Sequence, residues 1–168
     1  LNKYDVIHID IQWFLANCSN ADEVIAFIID SVLTELKGIY PGILSDNIKT
    51  LPNALSLIRE TNGQKFIIII DEWDVLIRDE SANIGVLDEY INFLRGLFKG
   101  TEPTKYIQLA YLTGILPIKK EKTQSALNNF DEFTMLSASD LAPYVGFTED
   151  EVKTLSEQYH QDFDKVKK

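Results

Sequence analysis

The sequence predicts an α/β fold of three layers built around a mainly parallel sheet. Two observations carry this expectation. The run Phe66-Ile67-Ile68-Ile69-Ile70 has no polar alternation, which is the pattern of a strand covered on both faces in a parallel sheet. On either side of it, strand-like segments alternate with stretches whose apolar residues recur at helical spacing. Strand, helix, strand, helix, strand in that order predicts parallel pairing through right-handed crossovers.

Taken in order, Tyr4 to Ile11 reads as the first strand, and its partial alternation suits a sheet edge. His8 lies inside it and is assigned no function. Asn20 followed by Glu23 marks a helix start, and Val24, Ile25, Phe27, Ile28, Val32 and Leu36 share a face until Gly38. Ile39 to Lys49, with Pro41 and Gly42, reads as a loop. A short helix is expected from Pro52 to Glu60, because Pro52 suits a first helical turn and Asn62-Gly63 supplies a left-handed stop. Beyond the central strand, Asn83 to Phe98 carries the stripe Val86, Leu87, Tyr90, Ile91, Leu94, Leu97 and Phe98, wide enough to pack on a sheet. Tyr106 to Leu112 is a further strand, ending at Thr113-Gly114. Ile118 to Phe130, which carries Lys119, Lys120 and Lys122, reads as an exposed loop or partial helix, and Asp131 to Leu136 as a last short strand. Thr148 and Glu151 form a capping box for a helix running to Tyr159, and the tail after Phe163 is expected to fray.

The central strand runs directly into Asp71, Glu72 and Asp74. Parallel α/β sheets place ligands at the carboxyl ends of their strands, so these carboxylates emerge into the expected crevice. A first carboxylate there can hold Mg²⁺ through water, and a second can orient or deprotonate an attacking water, the shape of a Walker B motif. The same residues also fit a solvated loop after a buried strand. Thr113, at the end of another strand, would lie beside Asp71 if the two strands are neighbours. Asp74 suits a bracing or capping role as well as a catalytic one. A metal nuclease built on Asp71 and Glu72 is disfavoured, because no Lys follows in the strand register such chemistry uses.

Composition narrows the partners. The 168 residues are 45% hydrophobic and 11% aromatic, enough for one domain with a substantial core. A formal net charge of −10 argues against nucleic-acid backbones and anionic membranes as partners, since phosphate contacts need clustered Lys and Arg. The single Cys18 cannot form an internal disulfide, and no Cys/His set has zinc spacing, so a reducing cytoplasm is the expected home. The apolar runs fall short of the ~20 residues of a membrane helix, and no leader pattern opens the chain.

The strand ending Ile-Asp-Glu-Trp-Asp, the later strand ending Leu-Thr-Gly-Ile (112 to 115) and Gly-Phe-Thr-Glu-Asp-Glu-Val (146 to 152) together resemble the bacterial AAA-ATPase-like family. These are P-loop proteins whose ATPase domain is often followed by a segment resembling a PD-(D/E)XK nuclease. The resemblance spans Val6 to Leu155. It implies ATP and Mg²⁺ as cofactors, Asp71 as the residue serving Mg²⁺, Glu72 as the residue positioning the hydrolytic water, and Thr113 at the sensor position. Arg78 and Arg95 are the candidates for an arginine finger. One departure stands out: no G-x-x-x-x-G-K-[ST] phosphate loop occurs in the sequence. In the family that loop lies upstream of the first strand, so the expectation is a single partial domain truncated before Leu1. On this reading the parent protein uses ATP binding or hydrolysis to drive a conformational switch, and the fragment is inactive. The alternative is a catalytically idle interaction or scaffold module that kept the fold. Without the phosphate-loop strand, Tyr106 to Leu112 is left with an apolar edge, to be paired by Asp131 to Leu136 or by a second copy in a homodimer.

Overall fold

Five residues of high β propensity, Phe66 to Ile70, followed by Asp71, make β2 (Phe66–Asp71) the middle strand of a three-stranded parallel sheet. Its neighbours are β1 (Asp5–Asp10) and β3 (Ile107–Leu112), in the order and direction expected from the sequence. The structure is a computed structural model and describes residues 3–79, 82–117, 127–134, 137, 139–144 and 146–166. Register brings Asp10 opposite Asp71, and Ile70 opposite Leu112, after an irregularity between Phe66 and Ile67. The carboxyl ends of all three strands therefore share one edge of the sheet.

The core lies on one face. Ile7 and Ile9 of β1 and Phe66, Ile68 and Ile70 of β2 are buried, in one cluster with the apolar stripes of α2 (Val24–Ile39), α3 (Leu51–Asn62) and α5 (Ile84–Phe98). These three helices pack on one another and so form a single layer. The opposite face presents rungs of Val6, Ile67 and Leu109 and of His8, Ile69 and Tyr111. Here Val6 is 56% exposed, Leu109 55% and Tyr111 48%. The α/β class with a parallel sheet is present, while β2 alternates between buried and half-buried positions along its length. Its unbroken apolar run is accounted for by side-by-side packing of Ile67 and Ile69 with their cross-strand neighbours.

Several boundaries differ from the sequence reading for local reasons. The first strand stops at Asp10, because the Asp10 carboxylate accepts from the Trp13 amide at 3.0 Å and caps α1 (Ile11–Ala16). Asn20 makes no side-chain cap; a 3₁₀ turn over Ala21–Glu23 leads into α2 instead. Gly38 does not end α2, which runs to Ile39, since a glycine stops a helix by turning left-handed and Gly38 keeps negative φ. Gly63 does make that turn, at φ 79°, and donates to the Arg59 carbonyl at 3.0 Å. Pro103 opens a four-residue turn, α6 (Pro103–Tyr106), so the third strand begins at Ile107. A short α4 (Val75–Arg78) follows β2.

Chain contacts divide the protein into Leu1–Phe130 and Asp131–Lys168. At the end of the first unit Leu127 is fully buried and Phe130 meets Phe98 edge-on at 5.2 Å, so this part of the expected exposed loop belongs to the core; residues 118–126 lie outside the described residues. In the second unit the expected strand over Asp131 to Leu136 is not formed by its described part. Thr134 makes only an isolated antiparallel bridge to Ser137, a tight local turn that uses the backbone groups a ladder would need; Met135 and Leu136 lie outside the described residues. Among the described residues β3 thus pairs on one side only. The capping box at Thr148 and Glu151 is present and starts α7 (Glu149–Gln158), and these bonds from Thr148 hold the Glu151 carboxyl below its ordinary range. The tail forms a final turn, α8 (Phe163–Val166). No helix among the described residues is long and apolar enough to cross a membrane.

If β2 is the keel of the core, Ile68→Ala, at a site 1% exposed, should lower unfolding stability by about 3 kcal/mol. Urea denaturation measures this. A loss under about 1 kcal/mol would mean that the site collapses around the deletion and that β2 is not tightly packed.

Candidate functional site

The sheet ladder runs on past its strands and closes at the acidic edge. The Thr113 amide donates to the Ile70 carbonyl at 2.9 Å, and the Trp73 amide donates to the Thr113 carbonyl at 2.9 Å. This continuation fixes Thr113 beside Asp71. The Thr113 hydroxyl donates to Asp71 Oδ1. The Glu72 amide points to the same place, 3.1 Å from Asp71 Oδ1 and 3.4 Å from Thr113 Oγ1. Asp71 Oδ2 accepts no hydrogen bond from the described residues.

Glu72 has φ 52°, a left-handed conformation that costs a residue with a Cβ on the order of 1–2 kcal/mol. It lets the chain leave the strand sharply, with the Glu72 side chain 42% exposed while Trp73 and Asp74 turn into the core. Arg78 then bridges two carboxylates: Nε donates to Asp74 Oδ2 at 2.9 Å and Nη2 to Glu72 Oε2 at 2.8 Å. The Asp74 carboxylate beside it, followed by that of Glu72, holds the guanidinium pKa above its ordinary value.

Asp74 is fully buried and does not cap α4. Its Oδ2 accepts from the backbone amides of Ile115 at 3.2 Å and Leu116 at 2.8 Å, which ties the loop after β3 to the loop after β2. Oδ1 has no hydrogen-bond partner among the described residues and lies against Gly114. A Cβ at residue 114 would fall 2.5 Å from Asp74 Oδ1 and 2.6 Å from Trp73 Cδ1, so only glycine allows this approach. Beneath, the Tyr90 hydroxyl donates to the Trp73 carbonyl at 2.6 Å; burial, and then the charge of Asp74, push its pKa far up, so it stays a donor.

The structure thus brings Asp71, the Glu72 amide and Thr113 together where β2 and β3 end, while the Glu72 side chain turns to Arg78. Residues 1–123 match the family described as Predicted AAA-ATPase. The chain belongs to this AAA-ATPase-like family. No curated protein and no solved structure matches it.

Within the AAA-ATPase-like domain, the two arginine-finger candidates both have partners nearby. Arg78 is engaged by Asp74 and Glu72, and Arg95 donates to Asn92 on its own helix at 2.6 Å. Among the described residues no three His, Cys, Asp or Glu side chains converge as a metal cage. Mg²⁺ needs no such cage, since it keeps most of its waters and takes one or two protein carboxylates. The sequence reading gave no role to Asp10 or Gly114. Asp10 is the register partner of Asp71, but its Oδ1 is held by the Trp13 amide as a helix cap. A glycine directly after Thr113 was the visible sign of the close approach to Asp74.

Asp74→Ala should destabilise the domain by about 3 kcal/mol, because it removes the buried acceptor shared by two amides and a guanidinium. Gly114→Ala should cost about 1–3 kcal/mol through overcrowding. Chemical denaturation of both variants checks this, and wild-type stability in either would show that the loops are not locked together.

Proposed function

We propose that this domain supplies the hydrolytic side of an ATPase site, with ATP and Mg²⁺ as its ligands. Asp71 serves Mg²⁺ through Oδ2, Glu72 orients the attacking water and takes its proton, and Thr113 offers its hydroxyl to the γ-phosphate or to that water. Bound Mg²⁺–ATP supplies the phosphoryl group and the cation that neutralises its charge. The observation that supports this most is the direct hydrogen bond between Thr113 and Asp71 at the carboxyl ends of adjacent parallel strands, the edge where such sheets bind ligands.

The phosphate-binding loop is not in this sequence, so the working unit we propose joins the domain to such a loop elsewhere in the protein. There, binding or hydrolysis of ATP drives a conformational switch, and the shared tether of the β2 and β3 loops through Asp74 gives that switch a mechanical path. A second reading, an idle interaction module, draws on the half-exposed sheet face of Val6, Leu109 and Tyr111 and on the edge of β3 that no described residue pairs.

These readings separate in turnover measurements. The 168-residue chain alone should show no ATP turnover, because carboxylates give no grip on a triphosphate. In a protein that carries this domain with a phosphate loop, Glu72→Gln should lower kcat by at least about 100-fold and leave ATP binding intact. Turnover that survives the substitution would refute the hydrolytic role of Glu72, and turnover by the chain alone would refute the need for a separate phosphate loop.

A further inference from the structure

We propose that Arg78 is the positioning residue of this site, setting the Glu72 carboxylate by tethering it to the buried Asp74 and, through Asp74, to the loop after Thr113. This deepens the ATPase reading and rests on it. Glu72 emerges on a left-handed turn with its side chain 42% exposed. A flexible, solvated carboxylate samples many rotamers, whereas a water-orienting carboxylate is useful only in a narrow range of placements.

Among the described residues, the Glu72 carboxylate is held through Oε2 by Arg78. The holder is itself fixed, because Arg78 Nε is bound to a carboxylate at zero exposure, and that carboxylate accepts from the Ile115 and Leu116 amides. The guanidinium fork suits this task, since its donors diverge from one rigid plane and reach two carboxylates at once, which a lysine ammonium on a flexible stem does poorly. The chain of contacts Glu72–Arg78–Asp74–Ile115/Leu116 also means that a movement of Thr113 and its loop is transmitted to Glu72. The residue that reads the phosphate and the residue that aligns the water would then respond as one unit.

Two measurements test this, one of them independent of turnover. In arginine side-chain NMR of the 168-residue chain, rotation of the Arg78 guanidinium should be slow, and Glu72→Gln should speed it by about tenfold by removing a charge-assisted bond. Glu72 is partly exposed, so this variant keeps the fold even if Asp74 variants do not. A guanidinium as mobile in the wild type as in Glu72→Gln would overturn the proposal. In the protein that joins this domain to a phosphate loop, Arg78→Ala should lower kcat by about 10- to 100-fold at unchanged KM, and Arg78→Lys should recover little of the loss. A rise in KM at constant kcat, or full rescue by Lys, would also overturn it. If Glu72→Gln leaves turnover intact while the guanidinium responds as expected, the hydrolytic role assigned to Glu72 fails and the tether stands.

Discussion

The Asp74 carboxylate lies where no water reaches it, and a charge in that position has to be compensated by the chain around it. Its compensation comes from three directions: the guanidinium of Arg78 one turn on, and two backbone amides more than forty residues away at Ile115 and Leu116. Much of the acidic edge follows from this demand. The loop after β3 must bend back over the end of β2, Gly114 must lack a Cβ to let it pass, and Arg78 must fold inward, where its second donor meets Glu72. An ion pair with one partner fully buried adds little net stability over an apolar substitute, but removing the partner of the buried charge is costly. Its value here lies in fixing one arrangement of two loops.

The backbone adds a second, independent lock. The parallel ladder between β2 and β3 extends by the pair of bonds through Thr113, which places a hydroxyl against Asp71. Glu72 then leaves the strand in a conformation that a residue with a Cβ adopts only when its surroundings impose it. Strain at that residue, with Asp71 and Thr113 bonded on one side and Arg78 on the other, describes a preorganised edge.

Much of this was legible in the sequence, for identifiable reasons. The apolar run at Phe66 to Ile70 and its acidic end mark β2 because periodicity and composition agree, and the order of elements makes Tyr106 to Leu112 its parallel neighbour, so the meeting of Asp71 and Thr113 follows from topology. The capping box at Thr148 is visible because it depends on residues three apart. Contacts set at long range were not visible. Asp74 and Arg78 stand at i,i+4 spacing, yet nothing local shows that Asp74 is buried, since its burial depends on the loop at 115–116. Ile67 and Ile69 look the same in sequence whether the second sheet face is covered or half-open. The helix over Ile11–Ala16 was hidden because Ile11 prolongs an apolar strand pattern and the signal that ends it, the Asp10 cap, is a single side chain. The aromatic and aliphatic residues from Phe130 to Leu136 suggested a strand because composition alone does not reveal whether a pairing partner exists.

Amide hydrogen exchange at Trp73, Thr113, Ile115 and Leu116 is the most direct test of the central claim that a buried carboxylate and a prolonged ladder lock the two loops into one rigid edge. If the claim holds, these four amides exchange only through the same global opening that releases Ile68 and Ile70, and their protection falls in step with overall stability as denaturant is added. Exchange at the rate of exposed loop amides, unaffected by denaturant, would show that the loops open on their own and that the edge is not preorganised.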